Sequence, residues 1–211
     1  MVISYAICSH NETDYLYDLL NQLIRAKPYE IVILDDFSSD DLLAAYFMKI
    51  KQENSFVKIK YHPHNGNFSE QKNLLTECCS GDWIVNLDAD EFITDELIAN
   101  IPVVLEENPE VEAYWMPRVN IVKGMTDEHI QMYGWKITEL MGQKLINWPD
   151  PQMRIYKRSP EIRWVGKVHE RLTGFKKFGA FPMELPYAIC HYKTIDRQMK
   201  QNEMYSTLIK G

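Results

Sequence analysis

Trp83-Ile84-Val85-Asn86-Leu87-Asp88-Ala89-Asp90-Glu91 decides the fold. A short, largely apolar run of the length of a buried strand passes straight into a cluster of acids. Working outward, the same succession of strand, polar loop and helix recurs upstream. Val2 to Cys8 reads as a strand that stops at Ser9-His10-Asn11-Glu12. Leu16, Leu19, Leu20, Leu23 and Ile24 then follow a helical period, with Asn11 or Thr13 as cap and Lys27-Pro28 as terminator. Ile31 to Leu34 predicts a second buried strand, followed by Asp35-Asp36-Phe37-Ser38-Ser39 and a helix over about 40–52. Val57 to Tyr61 predicts a third, leading into a helix from Ser69 that Ser80-Gly81 closes. After the acids, Thr94 caps a helix that Pro102 should kink or restart. Repeated βα units imply an α/β fold, a doubly wound, mostly parallel sheet that binds ligands at the C-terminal ends of its strands.

The pattern weakens further on. Ala113–Val119 reads as a fifth strand, and 120–150 as a long loop with short helical pieces, a length that suits a binding loop. Met153–Lys157 and Arg163–Val168 read as short strands around a Ser159-Pro160 turn, Tyr187–His191 as another strand, and Ile195–Ile209 as a terminal helix. At 211 residues the expectation is a single domain over 1–211.

Composition excludes whole classes of protein. With 45% hydrophobic and 25% charged residues the chain is globular rather than fibrous or disordered. Its longest apolar run, Leu42–Met48, is far too short to span a bilayer, and the N-terminus lacks the basic and small-residue features of a signal peptide. Cys8, Cys78, Cys79 and Cys190 show no C-x-x-C spacing and read as reduced, mostly buried thiols in a reducing, cytoplasmic setting. The net charge of −7 divides unevenly. Residues 1–110 hold 7 basic and 20 acidic side chains, a net of −13; residues 111–211 hold 16 and 10, a net of +6. An acidic half suits metal binding, and a basic half suits an anionic acceptor or peripheral contact with the inner face of a membrane; chance distribution over solvated faces is the competing reading.

The chemistry lies at the strand ends. Asp88 and Asp90, two apart after a strand, can point to one side, and hard oxygen ligands at that spacing suit Mg²⁺ or Mn²⁺ rather than zinc. The competing reading is a solvated turn capping the next helix. Asp36, at the end of the second strand, can accept a hydrogen bond from a base N–H or a ribose hydroxyl. Trp135, Trp148 and Trp164 can stack on sugar faces or fill core. Arg154, Lys157, Arg158, Arg163, Lys167 and Arg171 form a basic stretch that can meet an anionic acceptor; no RNA- or DNA-binding motif accompanies it, so no nucleic-acid partner is expected.

Taken together, Ser9-His10-Asn11-Glu12, Asp35-Asp36-Phe37-Ser38, Asn67-Phe68-Ser69-Glu70-Gln71-Lys72-Asn73, Gly81-Asp82-Trp83 and Asp88-Ala89-Asp90-Glu91 resemble the family 2 glycosyltransferases of the GT-A fold. Trp148-Pro149-Asp150-Pro151-Gln152-Met153-Arg154, Trp164-Val165-Gly166-Lys167-Val168-His169-Glu170 and His191-Tyr192 resemble the branch containing lipopolysaccharide-core β-glucosyltransferases. The resemblance implies a Rossmann-like GT-A domain whose 1–110 half binds a nucleotide-sugar, expected to be a UDP-sugar, and whose 111–211 half binds a glycan or glycolipid acceptor. It places Asp36 on the nucleoside, with Ser9 and Glu12 in the donor site and Lys72 near the base or phosphates. Asp88 and Asp90 would hold the metal on the diphosphate, with His191 as a late histidine completing that site. Inverting transfer needs a base for the acceptor hydroxyl, for which Glu170 is the first candidate and Asp150 the second. His169 is a further candidate contact to diphosphate or acceptor, and the remaining histidines read as structural or solvent-facing. Phe37 departs from the glycine that many relatives carry after the acid pair, and the short C-terminal region departs from those with an acceptor-binding extension.

Two other readings compete. A sugar-phosphate nucleotidyltransferase would share the sheet but normally carries a Gly-rich loop after its first strand, where Ser9-His10-Asn11-Glu12 has no glycine. A catalytically silent nucleotide-binding module would keep the cradle without the transfer.

Overall fold

The computed structural model describes residues 1–210, apart from the side chains of residues 14 and 207–210. The first half keeps the expected alternation: β1 (Ile3–Ser9), α1 (Thr13–Ala26), β2 (Glu30–Asp35), α2 (Asp41–Glu53), β3 (Val57–Tyr61), α3 (Phe68–Cys78) and β4 (Trp83–Asp88), then β5 (Glu91–Phe92) and α4 (Asp95–Glu107). The second half adds β6 (Ala113–Met116), β7 (Arg118–Lys123), α5 (Asp127–Tyr133), β8 (Ile137–Leu140), β9 (Gln143–Ile146), β10 (Gln152–Lys157), β11 (Arg163–Val165), β12 (Arg171–Thr173), β13 (Phe178–Ala180), β14 (Ile189–Thr194) and α6 (Ile195–Lys210). Among the described residues no helix is long and apolar enough to cross a membrane.

Seven strands form the main sheet in the order β13-β6-β10-β4-β1-β2-β3. β4, β1, β2 and β3 are mutually parallel, β13 is parallel to β6, and β10 runs antiparallel between β4 and β6. Period two sorts the side chains onto two faces. Ile3, Tyr5, Ile7, Ile31 and Ile33 pack with Leu16, Leu20, Leu43, Phe47, Leu97 and Ile101 of α1, α2 and α4. Ala6, Val32, Leu34 and Ile84 pack on the other side with Leu75 of α3 and with Trp164 and Leu172 of the β11–β12 hairpin. A second sheet, β5-β14-β7, stands beside the end of β4.

Side-chain caps start the helices where the sequence implies for α2 and α3: Asp40 accepts from Leu42 N and Leu43 N, and Asn67 from Glu70 N. α1 differs. Glu12 occupies its N-cap position without a capping bond, and Asn11 Oδ1 instead accepts from Ser39 N at 2.8 Å, joining the loop after β1 to the loop after β2.

Other expectations are corrected. The strand expected over 113–119 breaks at Pro117, which lacks an N–H for a ladder; β6 stays in the main sheet and β7 enters the small one. Residues 120–150 are not mainly loop, since they hold most of β7, α5 and the β8–β9 hairpin. α4 runs through Pro102 as one helix rather than restarting there. The strand expected to reach Val168 stops at Val165, where Gly166 (φ 105°) and His169 (φ 53°) turn the chain. The last strand begins only at Ile189 and runs on to Thr194. Of the four free cysteines only Cys79 is buried, the others being half-buried. Gly81 fits because an added Cβ would lie 2.5 Å from Ser4 Oγ, which accepts the Gly81 N–H.

Candidate active site

Every expected metal or donor residue of the first half except Lys72 lies in a loop or strand end on one rim of the main sheet. β4 ends with Asp88 beside Cys8 of β1, and the chain turns through Ala89 and Asp90 into β5. β5 pairs with β14, with His191 opposite Glu91, and this pairing carries His191 Nε2 to 3.1 Å from Asp90 Oδ2. α3 supplies Lys72, whose Nζ lies 2.6 Å from Glu170 Oε1 and 3.7 Å from Asp88 Oδ1, above the Trp164 ring. The structure thus gathers Asp88, Asp90, His191, Lys72 and Glu170 into one cluster, with Lys72 at its acidic centre.

Three arginines absent from the expected ligand set organise these acids. β10 bulges between Met153 and Ile155, and the extra residue, Arg154, is 3% exposed. Its Nη2 reaches Asp88 Oδ2 at 2.5 Å and Glu91 Oε1 at 2.6 Å. Glu91 is fully buried; it also pairs with Arg118 Nη1 at 3.2 Å and accepts the Asp88 N–H at 2.9 Å. Arg197 of α6 pairs with Asp90 at 3.1 Å and with Glu12 at 2.5 Å. Burial alone would push the Asp88 and Asp90 carboxyls up. Arg154, Lys72 and Arg118 outweigh it at Asp88, and His191 and Arg197 outweigh it at Asp90, so both stay below the usual carboxylate range. Burial lowers Lys193, on β14, to about 8.

The two base candidates sit differently. Glu170 pairs with one cation among the described residues, Lys72. Asp150 is held by Arg118 Nη2 at 2.9 Å, Asn120 Nδ2 at 2.6 Å and Gln152 Nε2 at 3.0 Å, the environment of a scaffold carboxylate. The expected basic stretch does not form one face. Arg154 is internal, Arg158 bonds the Gly81 carbonyl, Lys157 the Pro109 carbonyl, and Arg163 pairs with Glu77. Trp164 is buried and donates to Tyr156 Oη, while Trp135 stacks on Tyr133.

At the β1–β2 end, Asp36 Oδ1 accepts the His64 N–H at 2.8 Å, and His10 Nδ1 meets the Asp36 carbonyl. Asp35 is consumed by its own turn, bonding Ser38 N and Ser38 Oγ. Phe37 takes the left-handed conformation (φ 44°) that a glycine would favour and stands exposed beside Tyr61. Ser9 Oγ and His64 Nε2 are buried without a hydrogen-bond partner among the described residues, which leaves polar capacity here for a ligand.

A divalent ion fits part of this donor set. Asn120 Nδ2 faces two acceptors, Asp150 and the Ile146 carbonyl, so its Oδ1 accepts from His191 Nδ1–H. Nε2 is then directed at Asp90, where it shares a proton with that carboxylate or gives its lone pair to a cation. Two cis ligands at about 2.1 Å from an octahedral ion stand about 3 Å apart, close to the observed 3.1 Å. Asp88, by contrast, is turned to Arg154 and Lys72. No group of three His, Cys, Asp or Glu converges as a metal cage among the described residues. An ion here would complete its shell with water and phosphate oxygens, as Mg²⁺ commonly does.

Comparison with known proteins places this arrangement in context. The family model for glycosyl transferase family 2 matches residues 4–199. Glycosyltransferase SunS of Bacillus subtilis (strain 168) is 32% identical over 107 residues, covering 49% of this chain and 24% of that protein. The lipopolysaccharide core biosynthesis glycosyltransferase LpsC of Rhizobium meliloti is 31% identical over 130 residues, covering 61% and 46%. The chain therefore spans less than half the length of either relative. In three dimensions, residues 1–349 of Staphylococcus aureus TarS in complex with UDP-GlcNAc align with a TM-score of 0.62 at 17% identity, over 92% of this chain and 58% of that one.

Proposed function

The chain belongs to glycosyl transferase family 2, and on that footing we propose that it moves a sugar from a UDP-sugar to a hydroxyl of a glycan or glycolipid acceptor, with inversion by single displacement. The observation that carries this reading is the convergence of Asp88, Asp90, His191, Lys72 and Glu170 on the rim where β1 and β4 end. The UDP-GlcNAc complex of TarS supports the donor class. We read residues 1–211 as one glycosyltransferase unit, with the donor bound mainly by 1–110 and the acceptor by 111–211. A cytoplasmic setting, with peripheral membrane contact through the basic half, belongs to the same reading.

Asp36, with Ser9 and the rim around His64, takes the nucleoside, and Glu12 borders the diphosphate. Asp90 and His191 would hold Mn²⁺ or Mg²⁺, which would neutralise charge on the departing diphosphate. Lys72 and Arg154 keep Asp88 ionised and add positive charge beside the leaving group. Glu170 accepts the proton of the acceptor hydroxyl. The oxygen then bonds the anomeric carbon as the bond to the diphosphate breaks, and the electron pair leaves on phosphate.

The test is UDP release from a UDP-sugar and an acceptor hydroxyl by the wild type and by Glu170→Gln. Turnover in the variant is expected to fall about 10²–10⁴-fold with UDP affinity retained. Near-normal turnover would remove Glu170 from the role of base, and a wild type that binds UDP-sugar yet never transfers would favour the silent module.

A further inference from the structure

Helix α6 is fastened across the carboxylate cluster rather than packed beside it. Arg197, in its first turn, bridges two loops that follow different strands. Its Nη1 meets Glu12 beyond β1 at 2.5 Å, its Nη2 meets Asp90 beyond β4 at 3.1 Å, and its guanidinium lies 5.2 Å from the Tyr15 ring centre. Further along, Gln201 accepts from Lys193 Nζ and donates to Tyr205 Oη, both at 2.9 Å. The Tyr205 ring meets Phe68 and His169 edge-on, at 5.8 and 5.6 Å, on the Lys72–Glu170 side of the site. Burial raises the Tyr205 hydroxyl to about 12, so it stays neutral there.

Asp90 Oδ2 already faces two groups, His191 Nε2 and Arg197 Nη2, both at 3.1 Å. A divalent ion taken up by Asp90 and His191 competes with the guanidinium for that same oxygen. Arg197 would keep Glu12 as its anchor, and its side chain, about one third exposed, has room to turn. A planar fork of N–H donors released beside a diphosphate matches phosphate oxygens in pairs.

We propose that Arg197 is an exchangeable cation: it rests on Asp90 and Glu12 while the donor site is empty, and turns to the β-phosphate when a divalent ion takes Asp90. Binding of the donor would in this way re-dock α6 on the diphosphate. The inference rests on the donor-site reading above and adds a positioning residue to it.

Calorimetric titration of the full chain with Mn²⁺, UDP and UMP tests the exchange in wild type, Arg197→Gln and Arg197→Lys. Mn²⁺ alone is expected to bind Arg197→Gln several-fold more tightly than wild type, because its competitor is gone. UDP at saturating Mn²⁺ should bind it about 10- to 100-fold more weakly, the range for a hydrogen bond to a charged group. UMP, which lacks the β-phosphate, should bind both alike, and Arg197→Lys should recover part of the UDP affinity. Unchanged Mn²⁺ affinity, unchanged UDP affinity, or a loss shared equally by UMP would each overturn the exchange. A folded wild type that binds neither Mn²⁺ nor UDP would overturn the donor-site reading itself, and the exchange with it.

Discussion

Replacing Arg154 with Met is expected to cost about 3 kcal/mol of stability, the low end of the roughly 3–5 kcal/mol lost when one member of a buried ion pair is removed. Met reproduces the arginine stem only as far as the position of Nε and vacates the space of the guanidinium carbon and its two Nη atoms, so packing contributes part of the loss. The charge is the major part. Arg154 is 3% exposed and Glu91 fully buried. Without the guanidinium at 2.6 Å, Glu91 retains Arg118 at 3.2 Å and the Asp88 N–H at 2.9 Å, which places the estimate at the low end. For a chain of this size about 3 kcal/mol corresponds to a Tm lower by roughly 6–12 °C. Urea unfolding at constant m would measure it directly. The double variant Arg154→Met/Glu91→Gln removes the orphaned charge and should recover at least half of the loss. pH supplies a further check. Asp88 has a folded pKa below its unfolded value, with Arg154 chief among the charges opposing burial, so its contribution is present above about pH 4 and is lost as pH falls through the folded pKa. The deficit of Arg154→Met should accordingly be large at pH 7 and shrink below about pH 4. A single-variant loss under about 1 kcal/mol, or a double variant no more stable than the single, would refute the reasoning.

Asp90→Ala should abolish the Mn²⁺-dependent part of UDP binding while the protein stays folded by circular dichroism; an unchanged Mn²⁺ dependence would remove Asp90 from the metal site. Asp36→Ala should weaken UDP and UMP alike, by about 1–3 kcal/mol in titrations, and a loss confined to UDP would move Asp36 to the diphosphate. At the opposite end of β2, Glu30 is pushed down to about 2: burial opposes ionisation, but Lys58, Ser4 and both the N–H and the hydroxyl of Ser80 outweigh it. Its stabilisation is therefore full above about pH 4.5 and is lost as pH falls towards 2, so Glu30→Gln should flatten the acid limb of a stability-against-pH curve, and an unaltered limb would contradict the assignment.

The sequence by itself determined the first half of the sheet and the location of the chemistry. Hydrophobic periods of two and 3.6 are local signals, and they reproduce β1 to β4 with their helices because short-range sterics dictate them. Acids at the ends of parallel strands then mark the ligand rim whatever the rest of the chain does. Only the tertiary structure decided which charges face that rim. Arg154 reads in sequence as one member of a basic surface stretch, but a bulge in an antiparallel strand turns it inward to Asp88, 66 residues away. Glu91 reads as a third acid in an acidic turn, but two arginines hold it in the core. His191 and Arg197 reach Asp90 across 101 and 107 residues because β14 pairs with β5 and α6 follows β14. A buried, paired charge and a solvated one carry the same letter in a sequence. What separates them is the free energy of desolvation set against the partner's field, and the partner is chosen by strand pairing at long range.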